Sequence, residues 1–147
     1  MRKVQPPAYL LAAIAAMVAL HFGLPLRRLL HFPWAALGAV PLAAGLALNL
    51  VADGAFKAAG TTVKSFHTSS ALVTGSVFRI SRNPMYLGMV LTLAGAAFLL
   101  GTLSPWLVVP PVAVVFDVAF IRPEEATLHE TFGEAFREYR KHVRRWL

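Results

Sequence analysis

Between Arg82 and Asp117 lie 34 consecutive residues without one Asp, Glu, Lys or Arg. A water-soluble domain does not carry such a run, because each solvent-facing turn would set apolar side chains against water. About 20 apolar residues cross the hydrocarbon core of a bilayer, so the run is too long for one span and long enough for two short ones. Gly101-Thr102-Leu103-Ser104-Pro105 holds the turn-forming residues. The expectation is a hairpin of spans over residues 84–100 and 106–121, with Pro110-Pro111 bending the second.

Two further uncharged runs precede this one. Residues 8–26 follow the basic start Met1-Arg2-Lys3, an arrangement that a signal peptide shares. No small-x-small cleavage site closes the run, and it is read as a first span. Residues 32–52 form a second, with Pro33 at its start, a kink expected at Pro41, and Gly38 and Gly45 on a small-residue face suited to close helix packing. The chain is 57% hydrophobic and 14% charged, with a mean hydropathy of +0.61. The fold class that follows is all-α and integral to the membrane, with about four transmembrane helices in a single domain over residues 1–147.

The charged residues fill the spaces between. Residues 53–83 form a polar connection with Lys57, Lys64 and a Thr/Ser-rich patch from Thr61 to Ser70, a length that is often functional when a loop has no structure of its own. Residues 123–146 read as an amphipathic helix lying along the membrane surface. Pro123, Glu124 and Glu125 open it, and Leu128, Phe132, Phe136, Tyr139, Val143 and Trp146 make its apolar stripe. Glu134, Arg137, Glu138, Lys141 and Arg145 occupy the other side, and Gly133 interrupts it, which close packing would explain. With four spans, every Lys and Arg except Arg27 and Arg28 falls on one side. The positive-inside rule makes that side the cytoplasm, with both termini there and an inner (cytoplasmic) membrane location. The net charge of +7 suits anionic lipid surfaces. Nucleic-acid binding is excluded as a function class because the cations flank spans rather than forming one soluble face. The chain has no cysteine and its five histidines form no close pair, so no metal site is expected.

The stretch from Leu72 to Gly88 is the densest in chemistry. Asn83 precedes Pro84, which disfavours helix before the proline and pre-sets a helix start at it, turning orphan N–H groups toward the loop. The topology brings Asn83, Tyr86, Glu124 and Glu125 to one membrane edge. Simpler readings stand beside this one. The two glutamates also complement a helix dipole, Tyr86 also fits an interfacial anchor, and Arg79 and Arg82 also fit contacts to lipid phosphate. Asp117 reads as an interfacial acid or as a polar partner inside the bundle.

Leu72-Val73-Thr74-Gly75, Arg82-Asn83-Pro84-Met85-Tyr86-Leu87-Gly88, Glu124-Glu125-x-x-Leu128, Phe132-Gly133 and Tyr139 together resemble the signature of the isoprenylcysteine carboxyl methyltransferase family. The related phospholipid N-methyltransferases share the paired glutamates and the general plan. The resemblance implies a membrane methyltransferase that uses S-adenosylmethionine without the glycine-rich loop of soluble methyltransferases. Carried over, it implies that Ser70, Ala71, Leu72, Val73, Phe78, Asn83, Pro84, Met85 and Tyr86 line the cofactor pocket. Glu124 and Glu125 would hold its polar groups. Arg79, Arg82, Phe120 and Arg122 are the candidates for contact with the acceptor.

Two departures bear on the acceptor. Phe120 stands where the prenylcysteine enzymes have an arginine suited to a carboxylate, and Asn83 stands where many members have His; an asparagine is no base. A lipid or small hydrophobic acceptor is therefore expected, with a prenylcysteine-like carboxylate the other option. Whether oxygen, nitrogen or sulfur is methylated stays open, as does a catalytic base; an amine acceptor would call for one such as His67, His129 or a glutamate. The contrasting reading is a non-enzymatic four-span protein, such as a small transporter or an assembly subunit. Against the transporter, neither of the first two spans carries an acid.

Overall fold

The computed structural model describes residues 5–60 and 71–147. Ser70 and the Thr61–Ser70 patch, with His67, lie outside the described residues. Helix α1 covers Pro6–Gly23, where two prolines occupy the first turn, whose N–H groups have no helical acceptor in any case. A 3-10 turn over Trp34–Gly38 runs directly into α2, Ala39–Ala58. The expected kink at Pro41 is thereby avoided: the switch from 3-10 to α geometry puts this proline in the first turn of α2, where its missing donor costs nothing. Helix α2 also outlasts the uncharged run by six residues, since Asp53 and Lys57 pair at 2.5 Å across one turn.

Helix α3 covers Pro84–Leu100 and ends on Gly101, whose φ of 72° lets its N–H reach the Ala97 carbonyl. Helices α2 and α3 run antiparallel with their backbones almost touching. A Cβ on Gly38 would lie 2.6 Å from the Gly95 carbonyl oxygen, and one on Gly88 would lie 2.7 Å from that of Gly45. Gly38 at the end of the 3-10 turn and Gly45 in α2 thus face Gly95 and Gly88 of α3 in crossed pairs, the approach that small residues permit between membrane helices.

After Gly101 the chain makes one short turn, α4, Leu103–Trp106, and then α5, Val109–Phe116. Pro110 and Pro111 fall in the first turn of α5, so they start this helix rather than bend it. A π-turn over Asp117–Ile121 joins α5 to α6, Arg122–His142, without a break. From sequence, a new helix is expected to open at Pro123. The structure carries the helix through it because the widened turn, closed by Arg122 N–H on the Asp117 carbonyl, relieves the α-helical register a proline would disrupt. Gly133 adopts φ 49° and ψ −117° inside α6, and among the described residues no atom outside its own helix backbone and chain neighbours stands within 4 Å of where its Cβ would be. Its role is therefore to kink the helix and not to let a neighbour approach.

The fold is all-α and integral to the membrane. The stretches Pro6–Gly23, Trp34–Ala58 and Leu103–His142 are long and apolar enough to cross a bilayer, and Pro84–Leu100 is a shorter apolar helix. At 17 residues α3 is about 26 Å long, close to the hydrocarbon thickness. Phe22, Trp34, Leu37, Val40 and Leu50 are exposed on the outside of the bundle, as lipid-facing side chains are. Inside, Met17, Leu93 and Ala97 close one core cluster, and Tyr86, Met89, Phe116, Phe120 and Ile121 close a second nearer the start of α3. The far end is tied by backbone bonds from Leu29 and Leu30 to the Gly101 carbonyl and by His21 on Thr102 at 2.8 Å.

Candidate functional site

Four chain segments meet at the near end. Gly75 is extended and the 3-10 turn Ser76–Arg79 follows, burying Phe78. Phe78 meets the end of α2 edge-on, its ring 5.0 Å from that of Phe56. Ser81 and Asn83, both buried, then lead into Pro84 and α3. The Asn83 side chain does not cap α3. Its amide instead donates to Glu125 Oε1 at 3.4 Å and to the Arg145 carbonyl at 3.2 Å.

Glu125 is the electrostatic centre of this end. Arg82 donates through Nε and Nη2 to its Oε1 at 3.0 and 2.9 Å, and Arg145 donates through Nε and Nη2 to its Oε2 at 3.2 and 2.8 Å. The third Arg82 nitrogen donates to the Val143 carbonyl at 2.6 Å. Burial pushes the Glu125 carboxyl pKa up, but the hydrogen bonds and charges of Arg145 and Arg82 outweigh it and hold the group below the usual carboxylate range. Tyr139 donates to the Phe78 carbonyl at 2.6 Å, and burial raises its pKa to about 12, so it remains a neutral donor.

One residue earlier, Glu124 plays a different part. The Tyr86 hydroxyl donates to its Oε1 at 2.8 Å across the gap between α3 and α6. Behind Tyr86 stand Phe116 and Phe120, with ring centroids at 5.5 and 6.1 Å. The pair edges a cleft of about 340 Å³, within the roughly 300–1,000 Å³ of small-molecule sites.

Ala71, Leu72, Val73, Phe78, Asn83, Pro84, Met85 and Tyr86 all line this cleft, with Glu124 and Glu125 opposite them. Of the four residues expected to touch the acceptor, Arg82 alone lines it, and its guanidinium is already engaged by Glu125 and Val143. The other three do not line it. Arg79 points to the exterior. Phe120 is buried behind Tyr86, with its ring against Tyr9 at 5.4 Å. Arg122 pairs with Asp117 at 2.7 Å on the outside of the π-turn. Asp117 is thus a polar partner within the fold, bridged to Arg122 and, at 3.2 Å, to Arg145.

The cleft also has walls that the sequence reading did not assign. Phe56 comes from α2, Met89 from α3, Pro6 and Pro7 from the start of α1, and Leu128, Phe136 and Tyr139 from α6. The last three belong to the apolar stripe of α6, a signal available in the sequence; Phe56 had none. Arg145 is the other surprise. A helical count set it on the solvent side with Lys141, but Val143 is already extended, and this change of backbone turns Arg145 inward.

In chemical terms the cleft offers a carboxylate, a phenol hydroxyl, two aromatic walls and apolar surface from Leu72, Met85, Met89 and Leu128. That donor set fits a ligand with hydroxyl or ammonium groups, a flat ring and a soft cation.

Comparison with known proteins gives a consistent result. The model of the family described as "Phospholipid methyltransferase" matches residues 33–135, which include α2, α3, α5 and the first part of α6 and leave the tail beyond His142 outside. A protein of Haemophilus influenzae described only as uncharacterized is 38% identical over 63 residues, 43% of this chain and the whole of that relative. No solved structure matches.

Proposed function

Because this chain belongs to the phospholipid methyltransferase family and is on that ground a membrane methyltransferase, we propose that it transfers a methyl group from S-adenosylmethionine to a lipophilic acceptor, a lipid or small hydrophobic molecule. The observation that carries this reading is the Tyr86–Glu124 pair at the edge of a largely apolar cleft at one end of the bundle. Bound there, S-adenosylmethionine would supply an electrophilic methyl group on a positively charged sulfur. Glu124 accepts from its ammonium or hydroxyl groups, and Phe78 and Tyr86 present aromatic surface to its ring or its cation. Glu125, with Arg82 and Arg145 on its two oxygens, holds the wall in place and contacts the cofactor less than Glu124 does. Ser70 remains a candidate by resemblance alone.

What the chain does for the reaction is to orient and to keep water away. Placement in line needs no acid or base when the acceptor is a carboxylate or a thiolate, and Leu72, Met89, Leu128 and Phe136 make the site dry, which favours a step in which opposite charges cancel. A lipid acceptor fits better than a prenylated peptide, since Phe120 is buried, Arg82 is engaged, and Arg79 and Arg122 face outward. The test is calorimetric titration of the purified protein in detergent with S-adenosylmethionine. Labelled cofactor would then be offered in competition to membrane lipid extract and to a prenylcysteine analogue. Saturable binding and label in the lipid are expected; an absence of binding overturns the donor assignment, and label in the analogue alone overturns the acceptor assignment.

A further inference from the structure

The segment after α6 is built into the candidate site. Val143, Arg144 and Arg145 run alongside Ser81–Asn83. The carbonyl of Val143 accepts from Arg82 Nη1, that of Arg144 from the Arg82 N–H at 2.9 Å, and that of Arg145 from Ser81 Oγ and Asn83 Nδ2, each at 3.2 Å. The Arg145 guanidinium reaches two more elements, Glu125 at the start of α6 and Asp117 in the π-turn. Trp146 packs on the aromatic cluster behind Tyr86. One residue thus joins the pre-α3 turn, the π-turn and the acidic pair.

Resting on the reading of the cleft as a methyl-donor site, we propose that Arg145 is a positioning residue for that site. It fixes Glu125, and through Glu125 and its own carbonyl it fixes Arg82 and Asn83, so that the neighbouring Glu124 meets Tyr86 across the cleft. The two adjacent glutamates then divide the work, Glu125 engaged by the tail and Glu124 turned to the ligand. Successive helix positions point about 100° apart, so holding Glu125 by two arginines fixes the rotation of α6 at this turn and with it the direction in which Glu124 leaves the backbone. An exposed ion pair would have no such reach; here the Arg145 side chain is 33% exposed, but the carboxylate it holds is only 7% exposed and is shared with Arg82 at 9%.

Calorimetry separates affinity from the number of competent sites, and that separation tests the proposal. Arg145→Ala is expected to raise the dissociation constant for S-adenosylmethionine at least tenfold at unchanged stoichiometry. Arg145→Lys should recover part of the loss and added guanidinium ion should recover part of it in Arg145→Ala. The surface variant Arg137→Ala should bind as the parent does. A brace that is structural only would lower the stoichiometry, through misfolded protein, and leave the affinity of the remainder unchanged; that result overturns the proposal. If Arg145→Ala does not fold, Asp117→Asn and Arg145→Lys carry the test, each with an expected rise of about threefold, and parental affinity in both overturns it. A parent protein that binds no cofactor overturns the donor reading and this inference with it. A parent that binds, with Arg145 variants that bind equally well, overturns this inference alone.

Discussion

Glu124 and Glu125 are chemically the same residue in adjacent positions, and their surroundings make them different. Glu125 is buried with two guanidiniums on it, so removing its charge leaves Arg82, whose side chain is 9% exposed, without its counter-ion. Glu125→Gln is expected to cost about 3–5 kcal/mol, the usual loss when one partner of a buried pair is removed, read as a lower melting midpoint in detergent. Its carboxyl pKa is depressed in the folded protein. The stabilisation is therefore present above the ordinary carboxylate pKa and lost as pH falls through the lower folded value. The parent should lose stability on acidification through that window and Glu125→Gln should lose less; equal slopes would show that the ion pairs contribute nothing. Glu124→Gln should behave in the opposite way, with a melting midpoint near the parent's and S-adenosylmethionine affinity reduced about tenfold, the effect of one charge-assisted hydrogen bond. Unchanged affinity would remove Glu124 from the cofactor site. The sequence showed the acidic pair but not its division, because the division depends on Arg145, which reads as a solvent-facing helical residue until the backbone becomes extended at Val143.

At the scale of elements, uncharged runs and turn formers located the helices well where proline and glycine act locally. Pro84 opens α3 and Gly101 closes it, and each does so through its own backbone preference. What could not be read were the places where one irregularity compensates another: the 3-10 turn that draws Pro41 into a first turn, and the π-turn that carries the helix through Pro123. The glycines give the sharpest test of the packing. Gly54 is in α2 with no neighbouring atom among the described residues within 4 Å of its Cβ position, so Gly54→Ala should raise stability by about 1 kcal/mol, the gain in helix propensity. Gly45 is in the same helix, but there a Cβ would lie 2.7 Å from the Thr92 backbone nitrogen, and Gly45→Ala should lower stability by about 1–3 kcal/mol. A gain at both positions would mean that α2 and α3 are further apart than the structure has them. Gly133→Ala, at a positive φ, should cost about 1–3 kcal/mol of backbone strain, and since the kink directs Phe136 and Tyr139 to the cleft, cofactor affinity should fall with it.

For the whole molecule, two independent lines place the same chain ends together. The first is charge: all Lys and Arg but Arg27 and Arg28 belong to the amino terminus, the last turn of α2 and the connection after it, or the stretch from Arg122 onward, the kind of excess that the positive-inside rule associates with the cytoplasmic side. The second is geometric. Pro6 and Pro7 at the start of α1, Phe56 at the end of α2, Asn83 to Tyr86 at the start of α3, and the residues of α6 all line one cleft. Those ends therefore share one face of the bundle, while Arg28 pairs with Thr102 at the other. A soluble, charged cofactor has to reach the cleft from the compartment where it is made, which makes the orientation a condition of the proposed function and not a detail of it. Reporter tags at the amino terminus, near Lys57 and after Leu147 are expected to score as cytoplasmic, and tags near Arg28 and Ser104 as external. Agreement of the first three with one another, but on the external side, would leave the helix arrangement intact and remove access to a cytosolic methyl donor. Disagreement among them would mean that the chain crosses the bilayer a different number of times, so that the ends lining the cleft could not meet.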